Sequence, residues 1–482
     1  MRPLAVATPP PNTDVPSGVR LDADDLVVLG ATVVAGGSPW RVMRLSAAAR
    51  ATLDRWRAGE ALSPHDATLA RALINRGLVQ PRVALDDDLA ELDVVVPVRD
   101  DAARLRRLLG DVRDLAVTVV DDGSLDAAAI RACAEEFGAR LVRVSVNRGP
   151  GAARNVGVAA TSRPLVWFLD ADVVLDDARS IATRLVAALR DPLVAASAPR
   201  IRGGAGRRRR DRFEREFSPL DLGAASGLVS VDGARGYVPS ACLIVRRAAL
   251  GAGFDERLRI GEDVDLVWRL LDAGWLVRYD GAVTVEHEAR ATWAAWWNQR
   301  VGYGRSATAL GARHGSRVAP VVFDESTVAI TLGLATGQVA VAGLGACWLA
   351  GRIYAGLPDD VERARVAGSL LWRVLVETIG PSARAVVRAY GPLVLVAALL
   401  PRLRWRALAL FTLGTLWRWR GHRLVVRDVT LGMADDAAYA VGLWRGAARA
   451  RDATALTPRF TSRRQGQKRT TPRTLAPLAR SS

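Results

Sequence analysis

The sequence predicts an α/β fold: a central domain built on a parallel β-sheet, a small winged-helix-like module before it and a helical, partly apolar region after it. Three observations predict this. Apolar strands alternate with amphipathic helices from residue 91 to residue 172, a β-ribbon with two short helices precedes them, and residues 326–351 hold no charged side chain. At 482 residues the chain is too long for one ordinary core, so several units of ~100–200 residues are expected.

Residues 1–17 are rich in proline and lack the apolar stretch of a secretory signal, so they read as a disordered leader on a protein that is not exported. Residues 18–85 form the front module. Within it, residues 25–30 and 31–37 read as two strands around Gly30, and residues 47–58 and 65–76 as helices, the second closed by Gly77. The central domain covers residues 90–300. Residues 93–98 are a strand, and Leu105, Leu108, Leu109 and Val112 then fall at i, i+3, i+4 and i+7, one face of a helix. Strands at 116–120, 141–146 and 165–169 alternate with helices at 126–137 and 151–160. Continuous apolar strands of this kind are covered on both faces, and their ligands bind at the carboxyl ends.

Residues 301–450 are expected to be helical and associated with the inner membrane. The uncharged run 326–351 is long enough to cross a hydrocarbon core, which takes about 20 residues, although its glycine and alanine also suit a buried helix. Residues 390–417, interrupted by Pro401, Arg402, Arg404 and Arg406, suit a re-entrant or interfacial helix pair. Residues 451–482 are a basic tail with no acidic residue after Asp452, expected to be disordered and drawn to anionic lipid.

Composition narrows the function classes. The net charge is +17, from 67 basic and 50 acidic residues, but Lys468 is the only lysine and the chain is rich in alanine, valine, glycine and leucine. That pattern reads first as coding bias. No face of interleaved basic and aromatic residues stands out, so nucleic acid is not an expected partner. Cys133, Cys242 and Cys347 lie too far apart for a zinc module or a disulfide framework and suit a reducing cytoplasm.

Four clusters could carry chemistry. Asp170-Ala171-Asp172 follows an apolar strand, where two carboxylates can converge on Mn²⁺ or Mg²⁺ together with substrate phosphates. Asp121 and Asp122 end another strand; such residues are common in turns, but a carboxylate there can also accept from a base N–H or a ribose hydroxyl. The stretch from Asn147 to Gly157 contains a Gly-Pro-Gly turn, a helix start and Arg154, a combination suited to a diphosphate. Glu262 and Asp263 open a helix, where the dipole alone favours acids, yet a carboxylate there could also take a proton from a hydroxyl acceptor. His287, between Glu286 and Glu288, has an acidic strand-end setting. Together the clusters point to a nucleotide-diphosphate site.

In order and spacing, these motifs resemble the inverting family 2 glycosyltransferases of GT-A fold, the nucleotide-diphospho-sugar transferase fold, over about residues 92–299. The resemblance implies that Pro97, Asp121, Asp122, Arg154 and Asp170 bind a nucleotide sugar. It further implies that Asp172, with Asp170 and His287, holds Mn²⁺ or Mg²⁺, and that Asp263, beside Glu262, is the catalytic base. The processive Gln-x-x-Arg-Trp motif is absent, although residues 296–304 lie in the corresponding region, which leaves processivity open.

Residues 36–46, 218–223 and 237–241, with the helix opened by Glu262, resemble more narrowly the actinobacterial mycofactocin-system branch of that family. The front module is then similar to peptide-binding domains of ribosomal-peptide maturation. The implied reaction moves glucose from UDP-glucose to a hydroxyl of the peptide-derived mycofactocin precursor, in the cytoplasm or on the cytoplasmic face of the cell membrane. Two rival readings are a membrane glycosyltransferase of cell-envelope glycan or polyprenyl-linked sugar, and a catalytically silent peptide-binding scaffold. The intact Asp-x-Asp and Glu-Asp pairs speak against the scaffold.

Overall fold

A computed structural model describes residues 3–10, 15, 19–38, 40–231, 233, 235–325, 327–359, 361–422 and 426–461. The chain divides into two units, Met1–Arg313 and His314–Ser482. The tail expected to be disordered carries a short helical turn, Thr454–Leu456, and a strand, Arg459–Thr461, and its residues from Ser462 onward lie outside the described residues.

The front module contains β1 (Arg20–Asp22), β2 (Val27–Leu29), β3 (Val33–Gly36), β4 (Arg41–Arg44), α1 (Ala47–Arg57), α2 (Ala67–Ile74) and β5 (Gln80–Arg82). β2, β3 and β4 form an antiparallel sheet and β1 pairs with β5. Ser46 caps α1 by accepting from the Ala49 N–H at 3.1 Å. Val34, Leu53, Leu73 and Ile74 are fully buried beneath it, each contributing roughly 1.5–3 kcal/mol of apolar burial. β4, with arginine at both ends, carries no apolar alternation, and the sequence pattern does not reveal it.

The central domain follows with β6 (Leu92–Val98), α3 (Ala102–Asp111), β7 (Ala116–Asp122), α4 (Ala127–Glu136), β8 (Arg140–Val144), α5 (Pro150–Ala159), β9 (Leu165–Leu169), β10 (Val173–Val174) and α6 (Ala178–Ala188). It continues through β11 (Val194–Gly203), α7 (Arg209–Phe217), β12 (Gly227–Leu228), β13 (Cys242–Arg246), α8 (Arg247–Leu250), α9 (Glu262–Asp272), β14 (Leu276–His287) and α10 (Trp293–His314). Asp101, Asp126 and Asp177 cap α3, α4 and α6, each accepting a backbone N–H three residues on. The strands run in the order β10-β14-β11-β13-β9-β6-β7-β8, with β12 on β14. β9, β6, β7 and β8 are parallel, as their apolar runs predict. The sheet as a whole is mixed rather than parallel, because β13 inserts antiparallel between β9 and β11.

The leader departs from the expected disorder. Residues 3–10 lie along the central domain, where the Ala5 carbonyl accepts from the Ala252 N–H at 3.1 Å and the Ala7 carbonyl accepts from Trp275 Nε1 at 2.6 Å. Main-chain carbonyls make these contacts, so composition does not signal them. The front module is joined to the same domain by a two-pronged pair between Arg71 and Asp191, at 2.9 and 3.0 Å, and by Leu276, which packs on both cores.

The second unit is helical: α11 (Val328–Thr336), α12 (Val339–Gly356), α13 (Arg363–Leu399), α14 (Arg404–Arg418) and α15 (Val426–Ala450), with β15 (Val322–Asp324) parallel to β16 (Arg459–Thr461). The uncharged run is not one span. Gly337, at φ +76°, ends α11 after 9 residues, a helix of roughly 14 Å. Among the described residues, the helices long and apolar enough to cross a membrane are instead α12 and α13. α13 starts well before the expected interfacial pair and changes direction at Tyr390, two residues ahead of Pro392. Trp348, Trp372, Leu399 and Trp405 are among the large apolar side chains this unit leaves exposed.

Candidate active site

The carboxyl ends of β6, β7 and β9 open onto one cleft of about 370 Å³. Pro97 lines it from β6, Asp122 from β7, and Asp170 and Asp172 from the turn after β9. Gly149, at φ +96°, turns the chain into Pro150, the first residue of α5, and both line the cleft.

β14 returns to this turn from more than 100 residues away. Val173 pairs with His287, and the Glu288 N–H donates to the Asp172 carbonyl at 3.0 Å. His287 Nε2 then sits 3.2 Å from Asp172 Oδ1, and Arg290 Nη1 lies 3.5 Å from Oδ2. Burial works against the Asp172 charge, but His287, Arg290 and Arg104 outweigh it and hold the carboxyl well below its usual range. His287 responds in the opposite sense: burial disfavours its cation, and the Asp172 charge still leaves its pKa above the ordinary value.

Asp170 faces a different cation. Arg154, 2% exposed, donates through Nη2 to Asp170 Oδ1 at 2.6 Å and through Nη1 to Glu262 Oε1 at 2.8 Å, and its guanidinium lies 5.4 Å from the Phe254 ring centre. One buried arginine therefore ties the turn after β9 to the first turn of α9. Burial pushes the Glu262 carboxyl up to about 7, the Asp263 charge adds to this, and Arg154 opposes it. Asp263 accepts from its neighbour's N–H, Val264, at 2.8 Å and from the Ser240 N–H at 3.4 Å. Burial raises its pKa as well, with the Asp170 charge adding to the effect.

The geometry changes several expected roles. Asp121 is fully buried, and its oxygens accept from the Ser124 N–H at 2.8 Å and Arg143 Nη1 at 2.6 Å; it shapes the turn instead of facing a nucleotide. Asp122 reaches the cleft while accepting from the Arg148 and Gly149 N–H groups at 2.7 and 2.8 Å, so it also fixes the loop before α5. Arg154 does not line the cleft: two carboxylates use its guanidinium. Glu262 points inward to Arg154, and Asp263, held by the Val264 and Ser240 N–H groups, does not line the cleft either. The cations that do line the cleft are Arg99, Arg104, Arg259 and Arg290, none of them among the expected site residues. Arg259 reaches it by donating to Asn147 Oδ1 at 2.7 Å, and Arg104 by pairing with Glu288.

Among the described residues no three His, Cys, Asp or Glu side chains form a ready metal cage. The donor set nevertheless suits Mn²⁺ or Mg²⁺: two carboxylates open to one cleft, with room for substrate phosphates to complete an oxygen shell.

Residues 93–253 match the family described as Glycosyl transferase family 2. The chain is 35% identical to the pre-mycofactocin glycosyltransferase of Mycobacterium tuberculosis, over 93% of this chain and 99% of that protein. The chain belongs to glycosyltransferase family 2, in its mycofactocin-system branch. It is also 35% identical to the succinoglycan biosynthesis protein ExoU of Rhizobium meliloti over 176 residues, 33% of this chain and 49% of that one. Among solved structures, the Pyrobaculum calidifontis mannosyltransferase PcManGT, in complex with GDP-Man and Mn²⁺, is similar at 18% identity and a TM-score of 0.43, covering 79% of this chain and 94% of that chain. The mixed sheet of this family 2 glycosyltransferase, with its cleft at the ends of β6, β7 and β9, is the GT-A fold.

Proposed function

We propose that this glycosyltransferase is an inverting, metal-dependent hexosyltransferase that moves glucose from UDP-glucose to a hydroxyl of the peptide-derived mycofactocin precursor. The observation that carries the reading is the convergence of Asp170 and Asp172 on one cleft, with Asp263 held beyond them through the Arg154 bridge. The extent of the match to the M. tuberculosis pre-mycofactocin enzyme supports the acceptor class.

Each role follows from chemistry at a named atom. Asp122 and Pro97 line the nucleoside end of the cleft, and Arg99, Arg259 and Arg290 present guanidinium groups to a diphosphate. Asp172 and Asp170 would hold Mn²⁺ or Mg²⁺, with His287 orienting Asp172; when bound, the metal offsets charge on the departing diphosphate. Asp263 accepts the proton of the acceptor hydroxyl as that oxygen attacks the anomeric carbon from the side opposite the leaving group. Its raised proton affinity makes it a stronger base than an ordinary aspartate. Glu262 and Arg154 set where Asp263 stands.

The second unit supports a place at the membrane, since α12 and α13 have the length and composition to cross one, and a nucleotide-sugar donor would put the catalytic unit on the cytoplasmic face. Those helices also favour a second reading, transfer to a lipid-linked or envelope-glycan acceptor.

Incubating the purified protein with UDP-glucose, Mn²⁺ and mycofactocin-precursor extract, and following the acceptor by mass spectrometry, tests the proposal. Hexose increments that disappear with Asp263→Asn are the expected result. Donor hydrolysis with no soluble adduct, and label moving into lipid extract, would replace it with the second reading.

A further inference from the structure

α7 and α10 are fastened together at their amino ends. Arg208 and Arg210 both donate to the Ala291 carbonyl, at 3.1 and 2.9 Å, and the Arg210 guanidinium lies 5.2 Å from the Trp293 ring centre. Trp293 and Trp297, at i and i+4 on α10, are 53% and 37% exposed. The tryptophan between them, Trp296, turns inward and donates to Glu214 at 2.6 Å. Arg207 and Arg212, beside the α7 end, and Arg305, two turns along α10 from Trp297, are exposed and make no ion pair among the described residues. From residue 289 to residue 305 the chain has no acidic side chain. Neither exposed tryptophan lines the catalytic cleft.

Two part-exposed indole rings on α10, with exposed guanidinium groups at the start of α7 and along α10, satisfy neither burial nor charge within the chain. The headgroup layer of an anionic bilayer satisfies both: indole rings settle at that depth, and arginine pairs with lipid phosphates. α10 also ends at His314, where the unit containing α12 and α13 begins. We infer that this face of α7 and α10 docks on the anionic headgroup layer of a membrane, so that the catalytic unit itself touches lipid through residues separate from the apolar helices. The inference extends the membrane placement proposed above, and its failure can be told from the failure of that placement.

The full chain permits the test, because Cys133 and Cys242 are buried and Cys347, on α12, is exposed. A nitrobenzoxadiazole label on Cys347 reports on α12. The same label at position 297, in a Cys347→Ser, Trp297→Cys protein, reports on the α7–α10 face, and a Leu125→Cys control reports on an exposed turn of the catalytic unit. Protein is mixed with phosphatidylglycerol or phosphatidylcholine vesicles carrying a quencher in the acyl chains. The label at 297 is expected to shift to the blue and be quenched on phosphatidylglycerol alone, to lose both responses with Arg207→Ser and Arg212→Ser, and to contrast with a silent label at 125. Quenching at Cys347 without quenching at 297 would overturn the inference and leave the membrane placement standing; quenching at neither would overturn both. A label at 297 protected by single-stranded DNA in a salt-dependent way, yet silent on lipid, would overturn it in favour of nucleic acid. A raised acceptor KM for Trp293→Ser, Trp297→Ser in a lipid-free assay would overturn it in favour of an acceptor platform.

Discussion

Arg154 Nη2 and Asp170 Oδ1 meet at 2.6 Å, and the other arm of the same guanidinium holds Glu262. Replacing this arginine leaves the buried Glu262 carboxylate unpaired, at roughly 3–5 kcal/mol, and releases the part-exposed Asp170. Arg154→Met is therefore expected to lower the melting temperature and to reduce kcat more than it raises the donor KM. Arg154→Lys rescues little, because a single ammonium cannot reach two carboxylates as a planar fork does. A raised donor KM at unchanged kcat and stability would return Arg154 to direct nucleotide contact.

Asp172 and His287 differ in what they contribute. Asp172→Ala is expected to abolish metal-stimulated UDP-glucose turnover. His287→Ala keeps both carboxylates and loses the group that orients one of them, so the Mn²⁺ concentration for half-maximal activity rises by roughly 10–100-fold. Metal titrations of the two variants, starting from chelator-treated protein, check this difference.

Asp263 must be ionised to accept a proton, and burial with the nearby Asp170 charge raises its pKa above that of an ordinary aspartate. The sign is fixed: kcat/KM rises with pH on an acid limb lying above the ordinary aspartate range. Asp263→Asn should remove that limb and cut transfer by roughly 10²–10⁴-fold, while donor binding measured by calorimetry persists.

Asp255 locks α10 to the turn before α9. It accepts from Arg313 Nε at 2.8 Å and from Arg257 Nε at 3.0 Å, and these two arginines outweigh its burial to bring its pKa down to about 2. A carboxylate depressed in the folded state stabilises above its unfolded pKa, and that contribution is lost as pH falls from about 4 towards about 2. Asp255→Asn is expected to cost roughly 3 kcal/mol at neutral pH, with the difference from wild type shrinking in acid. Urea unfolding across that pH window is the measurement.

Much of this arrangement is legible in the residues. The apolar runs of β6, β7 and β9 reveal parallel strands, and the acids at their ends reveal a cleft, because one periodicity and one turn chemistry produce both. β13 escapes notice since its apolar run carries no mark of direction. The cleft arginines escape for a different reason: Arg104, Arg259 and Arg290 come from helix, loop and strand end, and only folding gathers them. Arg154 is the instructive case. Its place in a helix start beside a glycine turn points to phosphate, whereas burial between Asp170 and Glu262 fixes its guanidinium elsewhere. Gly337 likewise divides a stretch whose lack of charge suggests one continuous helix.

The front module is joined to the catalytic side through the Arg71–Asp191 pair and the shared Leu276. A chain beginning at Leu92 would leave the Asp191 carboxylate without its arginine and uncover Leu276. The module is thus not a bead that can be cut from a string. Any gene fission, domain shuffle or laboratory truncation at residues 85–91 must also rewrite residues well inside the transferase, so the two parts are constrained to be inherited together.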